Sequence, residues 1–391
     1  MSSMVRENRI ESTLLRRINE RRLLEAIQEH GPSSRAMLTR VSGLTAPTVS
    51  KAVDALLKRG FVEEVDPLKQ SLGRPGRLVR MAAESAAVLG VVVDAQVCCV
   101  VAAGLDGKVS EAQTRRFSTP ASYADLLDAV EGACRELLSS VTGRVHGIGV
   151  SVPGLVNERL EEIVFCPNLH LLDKRNPAHD LERRLGLKCL LLQETDALCI
   201  SERMYGDAHG LHDFAMLDVN TGLGLGVMSG GEVLAGHSGM AGEVGHITID
   251  PEGIRCGCGN RGCLETLATD MALVRLIAEK LGRPLSIDAV DRLICERPGD
   301  FQHEIRTVTE YLAIAIAAVI NIFNPTTLFV HGTLLVGSEE RLARVLERVR
   351  QRTLTASLAD CTIVATRSSK RQAAIAGIMH HLTSACAPSI R

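Results

Sequence analysis

Four side chains in the stretch GEVGHITIDPEGIRCGCGNRGCLE, residues 242–265, have the types and spacing of a metal site. His246 is followed after nine residues by Cys256, after one more by Cys258, and after four more by Cys263. Three thiolates and one imidazole suit zinc in a closed tetrahedral site, with no position left for an activated water. That donor set argues against a zinc hydrolase, whose metal keeps a coordination position open. Three cysteines this close together in a glycine-rich loop would otherwise be an oxidation liability. The gain from tying the loop is large, since structural zinc contributes roughly 10–16 kcal/mol to the folding of small metal domains.

Two carboxylates flank these donors. Glu243 stands three residues before His246, and Glu265 two residues after Cys263. A metal that fixes the loop also fixes both backbone segments. Carboxylates make strong, directional hydrogen bonds to sugar hydroxyls. Singly, each is an ordinary surface residue; on a loop tied by a metal the two are held together as candidate acceptors for ligand hydroxyls. His246 has two ring nitrogens, one available to the metal and the other to a hydroxyl.

The scaffold must hold such a loop. A chain of 391 residues suggests two or three domains. Its 46% hydrophobic and 23% charged content describes a globular protein rather than a disordered one. No uninterrupted apolar run reaches the ~18 residues that would span a bilayer. The start, MSSMVRENRI, lacks the apolar segment of a secretory leader. Cys98, Cys99, Cys189 and Cys199 stand singly in apolar contexts, as reduced core cysteines do. These features predict a cytoplasmic protein with no membrane partner.

Charge divides the chain. The first 80 residues carry 15 Lys and Arg against 9 Asp and Glu, while the whole chain carries 44 against 46. A basic head on an acidic body suggests a polyanion-binding module. Helical spacing runs through Ile10, Leu14, Leu15 and Ile18, slips near Asn19, and resumes at Leu23, Leu24 and Ile27 before Gly31-Pro32. Ser33 or Ser34 can cap a second helix that Gly43 stops. Thr45 can cap a third, with Pro47 in its first turn and Val49, Val53, Leu56 and Leu57 on its buried face. This is a helix-turn-helix. The exposed first turn of its last helix, with Thr45, Thr48, Ser50 and Lys51, is the part that reaches base edges in such motifs. FVEEV (61–65) and RLVRM (77–81) read as strands around a wing whose Arg74 and Arg77 suit a narrow minor groove. Residues 1–81 are therefore expected to form a winged helix-turn-helix domain with double-stranded DNA as partner.

From residue 86 onward, apolar strands alternate with helices. Strands are expected at 86–109, 145–154, 326–332 and 361–367, and a hairpin in FAMLDVNTGLGLGVMSGG; helices are expected near 122–140, 196–206, 264–282, 303–323 and 339–353. Such alternation predicts α/β layers, here in two lobes.

The segments GIGVSVPGLVN, CPNLH, GEVGH and CGCGNRGCLE, in this order, resemble the ROK family of repressors, open reading frames and sugar kinases, over about residues 86–383. The resemblance implies an α/β body, 82–391, with the two-lobed ribonuclease-H-like fold of actin and hexokinase. Lobe one would span about 82–200 plus the C-terminal helix, and lobe two about 201–370. The head makes the whole chain similar to the family's sugar-responsive repressors. The resemblance implies zinc on His246, Cys256, Cys258 and Cys263. It also implies a sugar or sugar phosphate in the interlobe cleft, on Asn168, Gln193, Glu194, Glu243, His246 and Glu265. A homodimer or homotetramer is expected, because helix-turn-helix dimers read half-sites about 34–36 Å apart.

The departures from the family pattern concern catalysis. Its kinases carry an Asp-x-Gly-x-Thr-Lys turn that admits ATP phosphates; here the turn reads Asp94-Ala95-Gln96-Val97-Cys98. They also carry an Asn-Asp pair whose Asp is the base, and Gln193-Glu194 stand there instead. The extra methylene of Glu displaces the carboxylate, and an error of ~1 Å can cost about 100-fold in rate. The expectation is a non-enzymatic, sugar-controlled transcriptional regulator; the alternative is a sugar kinase with a regulatory DNA-binding head.

Overall fold

The computed structural model describes residues 2–66, 77–297, 299–366 and 368–384, with side chains from residue 14 onward. The chain begins with one continuous helix, α1 (Ser2–His30). The change of apolar phase at Asn19 does not interrupt it, because neither Gly nor Pro occurs before Gly31. Leu23, Leu24 and Ile27 are buried. Glu20 is buried as well and takes Arg59 as its partner at 2.7 Å.

After β1 (Ser33–Ser34) comes α2 (Arg35–Ser42). Ser34 is the residue that caps it, its hydroxyl accepting from the Met37 N–H at 3.1 Å, and Gly43 closes it at φ 66°. The next helix is α3 (Ala46–Arg59). Thr45 occupies its N-cap position without the expected cap hydrogen bond; its hydroxyl pairs with that of Thr48 at 2.9 Å instead. Ala52 shares the buried face with Val49, Val53 and Leu56, while Leu57 is only half-buried. Strands β2 (Val62–Val65) and β3 (Leu78–Met81) complete a sheet of order β1-β3-β2. Arg35 fastens the helices to this sheet, reaching Asp54 at 2.8 Å, Glu64 at 3.0 Å and the Ser50 hydroxyl at 3.2 Å.

The chain leaves the head through a clamp built on Glu63. Its carboxylate accepts from Arg80 Nε at 2.8 Å, from the N–H groups of Ala83 and Ser85 at 3.2 and 3.1 Å, and from the Ser85 hydroxyl at 2.7 Å. Burial opposes the charge, but these donors hold the carboxyl below its ordinary range. Beside the clamp, the Phe61 ring lies 4.8 Å from that of His146. Glu63→Ala is expected to unfasten residues 82–85 and create a trypsin-sensitive site at Arg80. Limited proteolysis checks this: a variant as resistant as the wild type there contradicts the clamp.

By its contacts the chain divides into two compact units, Met1–Ser151 with Pro177–Leu191 and Ala374–Arg391, and Val152–Asn176 with Leu192–Ala373. The remaining strands are β4 (Ala86–Val92), β5 (Val97–Ala103), β6 (Thr114–Ser118), β7 (Arg144–Val152), β8 (Leu155–Asn157), β9 (Glu162–Phe165), β10 (Cys189–Gln193), β11 (Phe214–Asp218), β12 (Gly224–Ser229), β13 (Glu232–Val233), β14 (Thr327–His331) and β15 (Thr362–Ala365). The helices that follow α3 are α4 (Tyr123–Ser140), α5 (Pro177–Leu185), α6 (Glu194–Tyr205), α7 (Asp270–Leu281), α8 (Ile287–Glu296), α9 (Gln302–Phe323), α10 (Glu339–Val349), α11 (Thr355–Ala359) and α12 (Lys370–Ser384).

The first unit's five-stranded sheet has the order β10-β7-β4-β5-β6, and the second unit's has the order β13-β12-β11-β14-β15. Each begins as an antiparallel three-strand meander whose first strand then pairs in parallel with a later one, β4 with β7 and β11 with β14. The same strand plan thus occurs twice. Every residue of β4 and of β11 is buried, as strands covered on both faces are. Helix α9 is long and apolar enough, by length and composition, to cross a membrane, yet it is a core helix. Val308, Leu312, Ile316 and Ile320 pack with Leu217, Leu328 and Val330 of the second sheet.

Candidate metal centre and ligand site

The loop after β13 holds its form with little apolar burial. Ile247, Ile249 and Ile254 are all exposed. Backbone bonds draw the loop into a tight fold, Cys256 N–H to the Asn260 carbonyl at 2.8 Å and Gly262 N–H to that of Ile254 at 2.9 Å. Gly262 is required there: its φ is 59°, and a Cβ would run into the Asp250 carbonyl oxygen.

This fold brings His246, Cys256, Cys258 and Cys263 together, with one ligand atom from each lying within 4.8 Å of all the others. Cys258 and Cys263 sulfurs are 3.6 Å apart, and Cys256 Sγ is 3.7 Å from His246 Nδ1. A disulfide would need about 2.05 Å. Tetrahedral bonds of ~2.3 Å place neighbouring ligand atoms about 3.8 Å apart, so the spacing fits a metal ion. Burial pushes the Cys256 and Cys263 thiols up, so a cation at their centre is what would keep them as thiolates.

With Nδ1 turned to the cysteines, the other nitrogen of His246 faces outward, Nε2 lying 3.8 Å from the Glu243 carboxylate. Burial raises the Glu243 carboxyl; His246 works against that and Glu265 adds to it. Glu265 accepts from the Leu223 N–H at 3.2 Å. The close approach depends on Gly222, where a Cβ would sit 2.8 Å from Glu265 Oε2 and 3.6 Å from Asn168 Nδ2. Asn168, Glu243, His246 and Glu265 thus gather around the end of β11 and the loop that follows it. Two unanticipated carboxylates join them: burial, with Glu158 and Glu243 nearby, pushes Asp196 up to about 7.

Gln193 and Glu194 have other engagements. The Gln193 side-chain oxygen caps α6, accepting from Asp196 N–H at 3.0 Å and from the Thr195 hydroxyl at 2.7 Å. Glu194 is buried and its carboxylate meets Lys370 Nζ at 2.7 Å. That ammonium also lies 3.4 Å from Asp218, which in turn accepts from His331 at 2.9 Å. Burial disfavours charge on Asp218, but Lys370 and His331 prevail and hold its carboxyl below the usual range. At the Asp94 turn, a side chain does the turning: Asp94 Oδ1 accepts from the Gln96 N–H at 3.3 Å.

In the head, Thr45 and Lys51 are exposed and Thr48 and Ser50 half-exposed. Ser50 is the one tied inward, to Arg35. Arg77 is 67% exposed and pairs with Glu64 at 3.5 Å. Arg74 lies outside the described residues.

Residues 89–384 match the model of the ROK family. The chain belongs to this family. Residues 15–68 match that of the MarR family, so the ROK body carries a MarR-like winged helix-turn-helix. Two relatives are the xylose repressor of Bacillus subtilis, 28% identical over 83% of this chain and 84% of that one, and the DNA-binding transcriptional dual regulator NagC of Escherichia coli, 26% identical over 92% and 91%. Among solved structures, a ROK family transcriptional regulator described as a homologue of the E. coli MLC protein superposes with a TM-score of 0.78, covering 95% of this chain and 98% of that one at 24% identity. This ROK chain therefore has the actin- and hexokinase-like body expected for it.

Proposed function

We propose that this ROK protein is a DNA-binding repressor of carbohydrate genes whose body senses a sugar through Asn168, Glu243, His246 and Glu265. The observation that carries the reading is His246, with one ring nitrogen at the thiols and the other beside Glu243. Zinc is the ion the donor set favours, and it would keep the loop closed and Glu243 and Glu265 in place. Glu243 and Glu265 would accept from sugar hydroxyls, and His246 Nε2–H would donate to one. Residues 1–81 would form the DNA-binding domain and 82–391 the sensor, working in the cytoplasm as a homodimer or homotetramer on an operator.

The body's own residues support a regulator without kinase activity. A carboxylate bound to an ammonium is a poor base, and Lys370 holds Glu194 in that state. The turn at Asp94 lacks the glycines that admit phosphates, and its geometry is set by the Asp side chain. Gln193 and Glu194 would then support the site from behind, through the α6 cap and the Lys370 pair.

The head's role is tested by selecting double-stranded DNA from random sequence with the full chain. Lys51→Ala is expected to weaken the selected site by ~1–3 kcal/mol, the worth of a good base contact. Unchanged affinity would remove the first turn of α3 from the interface. A phosphate contact instead would show as a loss of equal size on every sequence and a shallower salt dependence.

A further inference from the structure

The second unit carries a cationic groove between the first half of α9 and α10, of about 470 Å³. Small-molecule sites have volumes of about 300–1,000 Å³. Arg306, Arg344 and Arg348 line it, with Glu347 as the acid among them and His303 at its edge. Arg344 pairs with Glu340 along its own helix. Arg348 reaches Glu310 at 3.2 Å, but that carboxylate also serves Arg352, so one negative charge is shared by two guanidinium groups. Arg306 makes no ion pair or hydrogen bond among the described residues. The first turn of α9 reaches the groove through Gln302 and His303, and its positive end already faces a carboxylate of its own, Glu304.

Thr309 adds a hydroxyl to the groove wall. It is only 5% exposed, and its hydroxyl makes no hydrogen bond among the described residues. Several helical threonines of this chain bond back one turn, as Thr39 does to Arg35, Thr307 to His303 and Thr383 to Met379. That of Thr309 is a neutral donor in the groove wall which the helix itself does not use.

We propose that this groove is a second effector site, for a small phosphorylated metabolite, separate from the sugar site. Arg306, Arg344 and Arg348 would take the phosphoryl oxygens in charge-assisted bonds, and Thr309 would add a neutral donor. A groove of this size, half open to solvent, suits a small anion rather than a nucleic-acid backbone, which needs an extended basic track.

Calorimetric titration of the metal-loaded full chain with inorganic phosphate, pyrophosphate and glucose 6-phosphate tests this. Binding of pyrophosphate is expected, weakened about tenfold or more by Arg306→Glu, the worth of one charge-assisted bond. Thr309→Val keeps the volume and is expected to weaken it by a smaller factor. Arg306→Gln, with no new charge, guards against a folding defect and is expected to fall between wild type and Arg306→Glu. Glu243→Gln is expected to leave pyrophosphate binding unchanged. A response to glucose 6-phosphate alone that Glu243→Gln abolishes would place the anion in the sugar site and overturn the proposal. So would no binding of any probe, or equal affinity in wild type and Arg306→Glu.

Discussion

Cys258→Ser is expected to release the bound metal and loosen residues 242–265 as a unit. Between its buried ends, Val244 and Leu264, few apolar side chains hold that loop: Ile247, Ile249 and Ile254 are exposed, and the remaining ties are short backbone bonds. The variant leaves Cys256 and Cys263 buried as neutral thiols, the state that burial favours without a cation. Structural zinc contributes roughly 10–16 kcal/mol in small metal domains, and loss of only ~3 kcal/mol would lower the melting temperature by roughly 6–12 °C for a unit of this size. Metal analysis after dialysis and hydrogen exchange over 242–265 measure the two parts separately. A variant that retains one zinc per chain, or unchanged protection in the loop, would show that the four donors do not act together.

Lys370→Met is the second large effect. Lys370, Glu194 and Asp218 have side chains only 16%, 12% and 5% exposed, so the substitution strips a buried ammonium from between two carboxylates. Breaking a buried pair in this way costs about 3–5 kcal/mol. The pH dependence has a definite sign. A carboxyl held below its ordinary range, as at Asp218, adds stability at pH above its unfolded value of about 3.9 and loses it as pH falls through the folded value. Without Lys370 that contribution shrinks, and protonation in acid relieves the stranded carboxylates. The deficit of the variant is therefore expected to be greatest near neutral pH and to narrow as pH approaches about 4. Urea unfolding across that range checks it. A deficit below ~1 kcal/mol at neutral pH, the size of an exposed pair, or one that widens in acid, would show that Lys370 is not the partner holding these groups.

What was legible in the sequence was what short spacing determines. The four metal donors lie within 18 residues, and the loop that joins them brings them together. Ser34, Gly43, Pro47 and Gly60 punctuate the head as cap and turn chemistry dictates. The rest depended on contacts between distant segments. Lys370 meets Glu194 across 176 positions of sequence, and nothing local at either residue announces it. Glu158 and Asp196 join the acidic site only because β8 and α6 lie beside the loop carrying Glu243. Gln193 has an engagement that its position in the family pattern does not show: its side-chain oxygen caps α6. Thr45 looked like a side-chain cap, but the Thr48 hydroxyl one turn on competes for its bond.

The central claim is that Glu243, held by a metal-tied histidine, reports a sugar to the DNA-binding head. It is tested by titrating the selected operator with wild type and Glu243→Gln, each with one metal per chain, across a panel of neutral sugars and sugar phosphates. At least one sugar is expected to change wild-type operator affinity about tenfold, within the 5–150-fold span of ordinary allosteric coupling. Glu243→Gln is expected to bind the same DNA with the same affinity and to ignore that sugar. A variant that responds at wild-type sugar concentrations would contradict the account.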